Sequence, residues 1–197
     1  MGRLIVGLDE VGRGPLAGSV VAAAVVMYES QHIVGVRDSK KLSAKNRVLL
    51  CSDIRMSAVG FAIGEANIEE IDRINILYAS MLAMERALAA LPPDLLGSIE
   101  HAFVDGNRLP KLTLPATAVV GGDDSIQAIG AASILAKVHR DDQMCRAALE
   151  YPQYGFERHM GYPTAQHMKA LTQHGICPLH RRSFAPIRKL LNVSVVA

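Results

Sequence analysis

Leu4-Ile5-Val6-Gly7-Leu8-Asp9-Glu10-Val11-Gly12-Arg13-Gly14-Pro15 is an apolar run that breaks into two adjacent carboxylates and then a glycine-flanked arginine. A short apolar run bounded by Gly and Pro reads as a buried strand. Carboxylates at the end of such a strand are costly: two unit charges about 5 Å apart repel by about 3 kcal/mol at an effective dielectric of about 20. A divalent cation removes that cost and gives the pair a chemical role. Gly12-Arg13-Gly14 then offers backbone N–H groups and a guanidinium suited to a phosphate or a sugar. The spacing from Gly7 to Gly12 approaches a P-loop, but the Lys-Ser/Thr pair that grips phosphate and magnesium is missing, which argues against an NTPase.

Outward from this stretch, further strand-like runs cover Ser19–Val26, Ala58–Ala66, His101–Val104 and Ala116–Val120. The Gly/Pro-rich turn between the first two strands predicts an antiparallel pair. Ser43 reads as the N-cap of a helix to about Arg55. Leu77, Met81, Met84, Leu88 and Leu91 follow helical spacing, which predicts an amphipathic helix capped by Asn75 and stopped by Pro92-Pro93. Ser125 to about Leu149, Thr164 to His174 and Pro186 to Asn192 complete the helices. Together these predict an α/β fold: a mixed sheet with flanking helices, and a helical appendage over 151–197 on a single domain of 1–197.

Composition narrows the class. Half of the 197 residues are hydrophobic and 20% are charged, so the chain can bury a full core. A net charge of +2 places any nucleic-acid binding in local basic clusters. The three isolated cysteines, Cys51, Cys145 and Cys177, argue against a disulfide framework and against a Cys-based zinc site. The longest apolar run, Val20 to Met27, is too short to span a bilayer, and no charged leader precedes an apolar segment. The expectation is a cytoplasmic protein with no membrane association.

Asp105-Gly106 and Gly121-Gly122-Asp123-Asp124 end strands or open helices in the manner of Asp9-Glu10. Taken singly, each is also an ordinary turn pair or helix cap. Taken together, Asp9, Glu10, Asp105 and Asp123 form an all-oxygen set suited to Mg²⁺ or Mn²⁺, not zinc. Arg37 with Lys40-Lys41, Lys137 with His139-Arg140, and His180-Arg181-Arg182 suggest a discontinuous phosphate track. Tyr154 and Phe156 read as residues that pin a loop to the core.

The motifs Gly7-Leu8-Asp9-Glu10-Val11-Gly12-Arg13-Gly14-Pro15-Leu16-Ala17-Gly18, Asp38-Ser39-Lys40-Lys41-Leu42 and Val104-Asp105-Gly106 recur in a known family. So do Ala131-Ala132-Ser133-Ile134-Leu135-Ala136-Lys137-Val138, Tyr154-Gly155-Phe156 and His180-Arg181-Arg182-Ser183-Phe184. With these, the chain resembles bacterial ribonuclease HII, the type 2 ribonuclease H family, essentially from end to end. The resemblance implies a ribonuclease H-like five-stranded mixed sheet. It implies cleavage of RNA in RNA–DNA hybrids and at single ribonucleotides in duplex DNA, with two Mn²⁺ or Mg²⁺ ions, leaving a 5′-phosphate.

Asp9, Glu10, Asp105 and Asp123 fall on that family's metal-binding carboxylates, with Asp9 bridging. Gly12-Arg13-Gly14 falls on its ribose sensor, which meets the 2′-hydroxyl that distinguishes RNA from DNA. Tyr162 falls on a tyrosine that stacks near the RNA-to-DNA junction. Ser39, Lys40, Ser133, Lys137 and Arg182 fall on backbone contacts or site supports. Gly121 and Met160 stand where the family usually has lysines, which bears on substrate affinity. The end of the chain, Leu191 to Ala197, shows no aromatic pair of a sliding-clamp motif, and a monomer is expected. Two other readings remain at this point: a different nuclease of the same fold, and a binding module without catalysis.

Overall fold

The structure is a computed structural model that describes residues 2–36 and 43–193. Ser39 and Lys40, with Arg37, Lys41 and the end of the chain from 194, lie outside the described residues. Five strands form one sheet: β1 (Leu4–Val11), β2 (Val20–Tyr28), β3 (Gly60–Ala66), β4 (His101–Asp105) and β5 (Ala116–Val119). Their order is β3-β2-β1-β4-β5, antiparallel from β3 through β1 and parallel from β1 through β5. The mixed five-stranded sheet is therefore the one expected.

Helices α1 (Ala44–Ser57), α2 (Ile68–Ala89) and α5 (Gln127–Glu150) cover the sheet, with short turns α3 (Pro93–Leu96) and α4 (Gly122–Ser125) between them. β2 is apolar throughout and buried over Val20–Met27, as a strand sandwiched between two helical layers must be. Val6 and Leu8 point toward α2, packing with Ala79, Ala83 and Leu88. Ile5 points the other way, toward Ala128, Ala131 and Leu135 of α5. At Gly7 the two layers come closest: a Cβ there would lie 2.1 Å from the Ala128 carbonyl carbon. Only glycine lets the start of α5 press directly on β1.

Beyond α5, a 3-10 turn (Pro152–Tyr154) and the helices α6 (Phe156–His159), α7 (Ala165–His174) and α8 (Ala185–Val193) surround a third apolar cluster. Tyr154 and Phe156 are buried in it, stacked 5.3 Å apart, as expected of loop anchors. Leu16 and Ala17 from the β1–β2 connection join the same cluster, so this layer grips the loop that follows Glu10.

Several boundaries differ from those expected. The helix expected behind an Asn75 cap begins eight residues earlier, at Ile68, where Asn67 and Glu70 form a reciprocal capping box. Asn75 breaks it with φ 64°, and its side chain caps Leu77 and Tyr78, restarting the helix. Asn67-x-x-Glu70 is a capping signal, but one apolar residue per turn in the first segment hid the helix behind it. α5 starts at Gln127 rather than Ser125, because Gly122–Ser125 closes a separate turn.

Candidate active site

β4 pairs with β1 only as far as Leu8 and Val104, while β1 runs on beside β2 through Asp9, Glu10 and Val11. The two carboxylates therefore lie inside the strand, at the step where its parallel neighbour stops. Carboxyl ends of parallel strands leave a crevice for ligands, and this step is such a place. Alternation turns Asp9 toward α5 and Glu10 toward α2. Asp105, the last residue of β4, stands beside them.

Each carboxylate is oriented by a donor of the protein. Asp9 Oδ1 accepts the Glu10 N–H at 2.7 Å, and the Ser133 hydroxyl of α5 also bonds its carboxylate. Glu10 Oε1 accepts from Arg13 Nη1 at 3.2 Å. Asp105 Oδ1 accepts the Gly122 N–H at 2.8 Å, which anchors the turn carrying Asp123. Asp123 is itself buried. Burial raises Asp9 from its ordinary 3.8 to about 8; the charges of Glu10 and Asp105 add to the rise, and the Ser133 bond opposes it. Burial also raises Glu10, against the nearby Arg13.

These shifts show three carboxylates close enough to repel one another. Asp123 is brought to the same edge through Gly122. Among the described residues no three His, Cys, Asp or Glu side chains converge into a ready metal-holding cluster. The donor set fits a hard divalent cation by its chemistry: carboxylate oxygens only, two of them with raised proton affinity from crowding and burial.

The Gly12-Arg13-Gly14 loop follows directly. Gly12 is buried with φ 94°, a conformation that glycine adopts without strain. Arg13 and Gly14 are exposed. Tyr162, 43% exposed, lies against the loop: a Cβ on Gly14 would stand 3.2 Å from its ring. Glu10, Arg13, Asp105, Asn107 and Arg108 line a small cleft between β4 and α2.

Two buried arginines that sequence reasoning placed on a surface track hold this loop from inside. Arg181 is fully buried and donates to the carbonyls of Gly12, Arg13, Gly18 and Ser19 at 2.6–3.2 Å. Arg140, 1% exposed, donates to Ala17, Ser19 and Met160. His180 is buried as well. The phosphate track therefore loses Arg140, His180 and Arg181.

Of the other expected contacts, Ser133 supports Asp9. Lys137 is paired with Asp141 at 2.6 Å. Arg182 is exposed, and its main-chain N–H is held by Asp72 of α2 at 2.9 Å.

Residues 6–187 match the ribonuclease HII family profile. The chain belongs to the ribonuclease HII family. A curated ribonuclease HII from Dechloromonas aromatica (strain RCB) is 56% identical over 190 residues, covering 96% of this chain and 95% of its own. Ribonuclease H2 from Pyrococcus horikoshii OT3 superposes with a TM-score of 0.80 at 25% identity, covering 96% of this chain and 98% of its own. Bst ribonuclease HIII, solved in complex with Mn²⁺, gives 0.72 at 19% identity over 100% of this chain and 71% of its own, a likeness of fold. Membership in the ribonuclease HII family makes the protein a ribonuclease of the ribonuclease H type. No helix among the described residues is long and apolar enough to cross a membrane.

Proposed function

We propose that the protein hydrolyses the RNA strand of RNA–DNA hybrids and nicks duplex DNA 5′ of a single embedded ribonucleotide, leaving 3′-hydroxyl and 5′-phosphate ends. The observation that carries this reading is the gathering of Asp9, Glu10 and Asp105 at the step beyond β4, directly followed by Gly12-Arg13-Gly14. Asp9, Glu10, Asp105 and Asp123 would hold two ions, Mn²⁺ or Mg²⁺. When bound, such ions supply an activated water and Lewis-acid stabilisation of the leaving 3′-oxygen. The Mn²⁺ complex of the related fold supports the choice of ion.

The chain's own residues orient and select. The Glu10 N–H and Ser133 aim Asp9, and the Gly122 N–H aims Asp105. Backbone groups of Gly12-Arg13-Gly14 approach the 2′-hydroxyl, which a DNA strand lacks. The Tyr162 ring, seated on Gly14, stacks beside the sugar that follows the ribonucleotide. Ser39, Lys40, Lys137 and Arg182 contact the phosphate backbone, Lys137 by leaving Asp141. The protein acts as a monomer in the cytoplasm.

The test is cleavage of a duplex carrying one ribonucleotide beside an all-DNA control, with Mn²⁺, Mg²⁺ or EDTA. The expected result is a metal-dependent nick 5′ of the ribonucleotide with the control intact. Cleavage of the control would assign a nuclease that does not read the 2′-hydroxyl. A folded protein that binds the duplex and yields no product with either ion would overturn the catalytic reading.

A further inference from the structure

The helices after α5 enclose three buried histidines, His159, His167 and His180, that no step above uses. Every ring nitrogen of the three has a partner. Cys177 donates its main-chain N–H to His180 Nδ1 at 2.9 Å, closer than the Cys177 carbonyl at 3.3 Å, so that nitrogen accepts and the proton of the neutral ring sits on Nε2. His180 Nε2 lies 3.0 Å from His167 Nε2, which must therefore accept. The proton of His167 is then on Nδ1, 2.9 Å from the Tyr162 carbonyl, the one kind of group there that can only accept. Reading from the other end gives the same assignment. The chain of donors runs one way, from Cys177 through His180 and His167 to Tyr162.

We propose that His167, set by His180, is a positioning residue for Tyr162. This rests on the role given above to Tyr162. The Tyr162 main chain is tied at both ends: its N–H donates to the His159 carbonyl at 2.9 Å, and its carbonyl accepts from Thr164 N–H and His167 Nδ1. Its ring leaves the core and rests on Gly14, so the orientation of this peptide sets where the ring meets the sensor loop. His167 is fully buried at the N-terminal turn of α7, whose cap, Thr164, sits two residues from Tyr162.

The rings are held sideways as well. His159 stacks on His167 at 4.5 Å with its own fixed tautomer: Gly161 N–H donates to Nδ1, and Nε2 faces the Tyr154 carbonyl. Tyr154 and Phe156 pack edge-on against His167, and the Cys177 sulfur lies 3.2 Å from His180 Nδ1. A proton added to His167 Nε2 would put N–H against N–H at 3.0 Å, and one added to His180 Nδ1 would face the Cys177 N–H at 2.9 Å. Consistently, burial lowers both groups, and the neighbouring His167 helps hold His180 at about 4.

Two isosteric variants separate positioning from packing. Asn at 167 places an amide near the Nδ1 position and keeps a donor for the Tyr162 carbonyl. Gln at 167 reaches toward His180 and leaves that carbonyl without its side-chain donor. H167Q should lose about tenfold or more in kcat/KM on the single-ribonucleotide duplex, and H167N several-fold less, because small misplacements near the reacting bond are costly. In a Tyr162→Ala background H167Q should add no further loss.

Equal losses in H167N and H167Q, or an undiminished H167Q loss without the Tyr162 ring, would overturn the proposal. Unchanged nicking by Tyr162→Ala alone would instead remove the role of Tyr162, and the inference with it. Nitrogen-15 NMR of the unaltered protein gives an independent reading. His167 should carry its proton on Nδ1 and His180 on Nε2 at pH 7; the opposite tautomers, or an imidazolium at either ring, would refute the chain.

Discussion

Arg181 Nη2 donates to the Gly12 carbonyl at 2.6 Å, joining residues 169 apart in sequence. The guanidinium spreads over four carbonyls of the β1–β2 connection and lies 5.1 Å from the Phe184 ring. Its planar fork is what allows this, since a point-like ammonium cannot span the same acceptors. Arg181→Lys should therefore destabilise the protein by roughly 2–4 kcal/mol, because carbonyls left buried without donors cost about 1–3 kcal/mol each. Urea unfolding reads the change directly. A wild-type midpoint for Arg181→Lys would show that the loop does not depend on the fork.

Asp9→Asn should abolish cleavage and, in EDTA, stabilise the fold. The sign follows from the raised proton affinity of Asp9, about 8 against an ordinary 3.8. The unfolded chain releases this proton near 4 and the folded protein near 8, so the native protein loses stability as pH rises between them. Asn has no proton to lose. The advantage of the variant should be small at pH 4, grow through pH 6, and level off above pH 8 at up to about 5 kcal/mol. Thermal melts of both proteins at pH 5 and pH 8 check this; an advantage that shrinks with pH contradicts the crowding of Asp9 by its neighbours.

The difference between what sequence and structure revealed is physical. The strands were legible because burial on both sheet faces leaves continuous apolar runs, as in Val20 to Met27. Asp9 and Glu10 were legible because carboxylates are rarely tolerated beside such a run. Arg140 and Arg181 were not, because their partners are backbone carbonyls, which every residue has and no motif records. Likewise Asp9 and Glu10 lie inside β1 and not at its end because β2 continues where β4 stops.

Gly12→Ala and Gly14→Ala should separate folding from recognition within one loop. A Cβ on Gly12 would sit 2.2 Å from Arg140 Nε, on a backbone with φ 94°. Arg140 would have to move and give up carbonyl bonds, so Gly12→Ala should cost about 2 kcal/mol or more. A Cβ on Gly14 would meet only the Tyr162 ring, at 3.2 Å. Gly14→Ala should melt within about 0.5 kcal/mol of wild type and still nick a single ribonucleotide poorly. Calorimetry and the nicking assay together decide it; loss of stability in Gly14→Ala but not Gly12→Ala would reverse the assignment of the two glycines.

Gly121 is the position where adding a charge is most informative. It has φ 66°, and nothing lies within 4 Å of where its Cβ would be, so a side chain has room. It directly precedes Gly122, whose N–H holds Asp105, and is two residues from Asp123. Gly121→Lys would place an ammonium at the edge where the substrate backbone is proposed to run. The left-handed backbone should cost about 1 kcal/mol of stability. In return, binding to a hybrid duplex should tighten, and the slope of log affinity against log salt should steepen by about one phosphate contact. Fluorescence anisotropy across a salt series, with Asp9→Asn added to prevent cleavage, measures this slope; an unchanged slope would place the phosphate path away from the Gly121 edge.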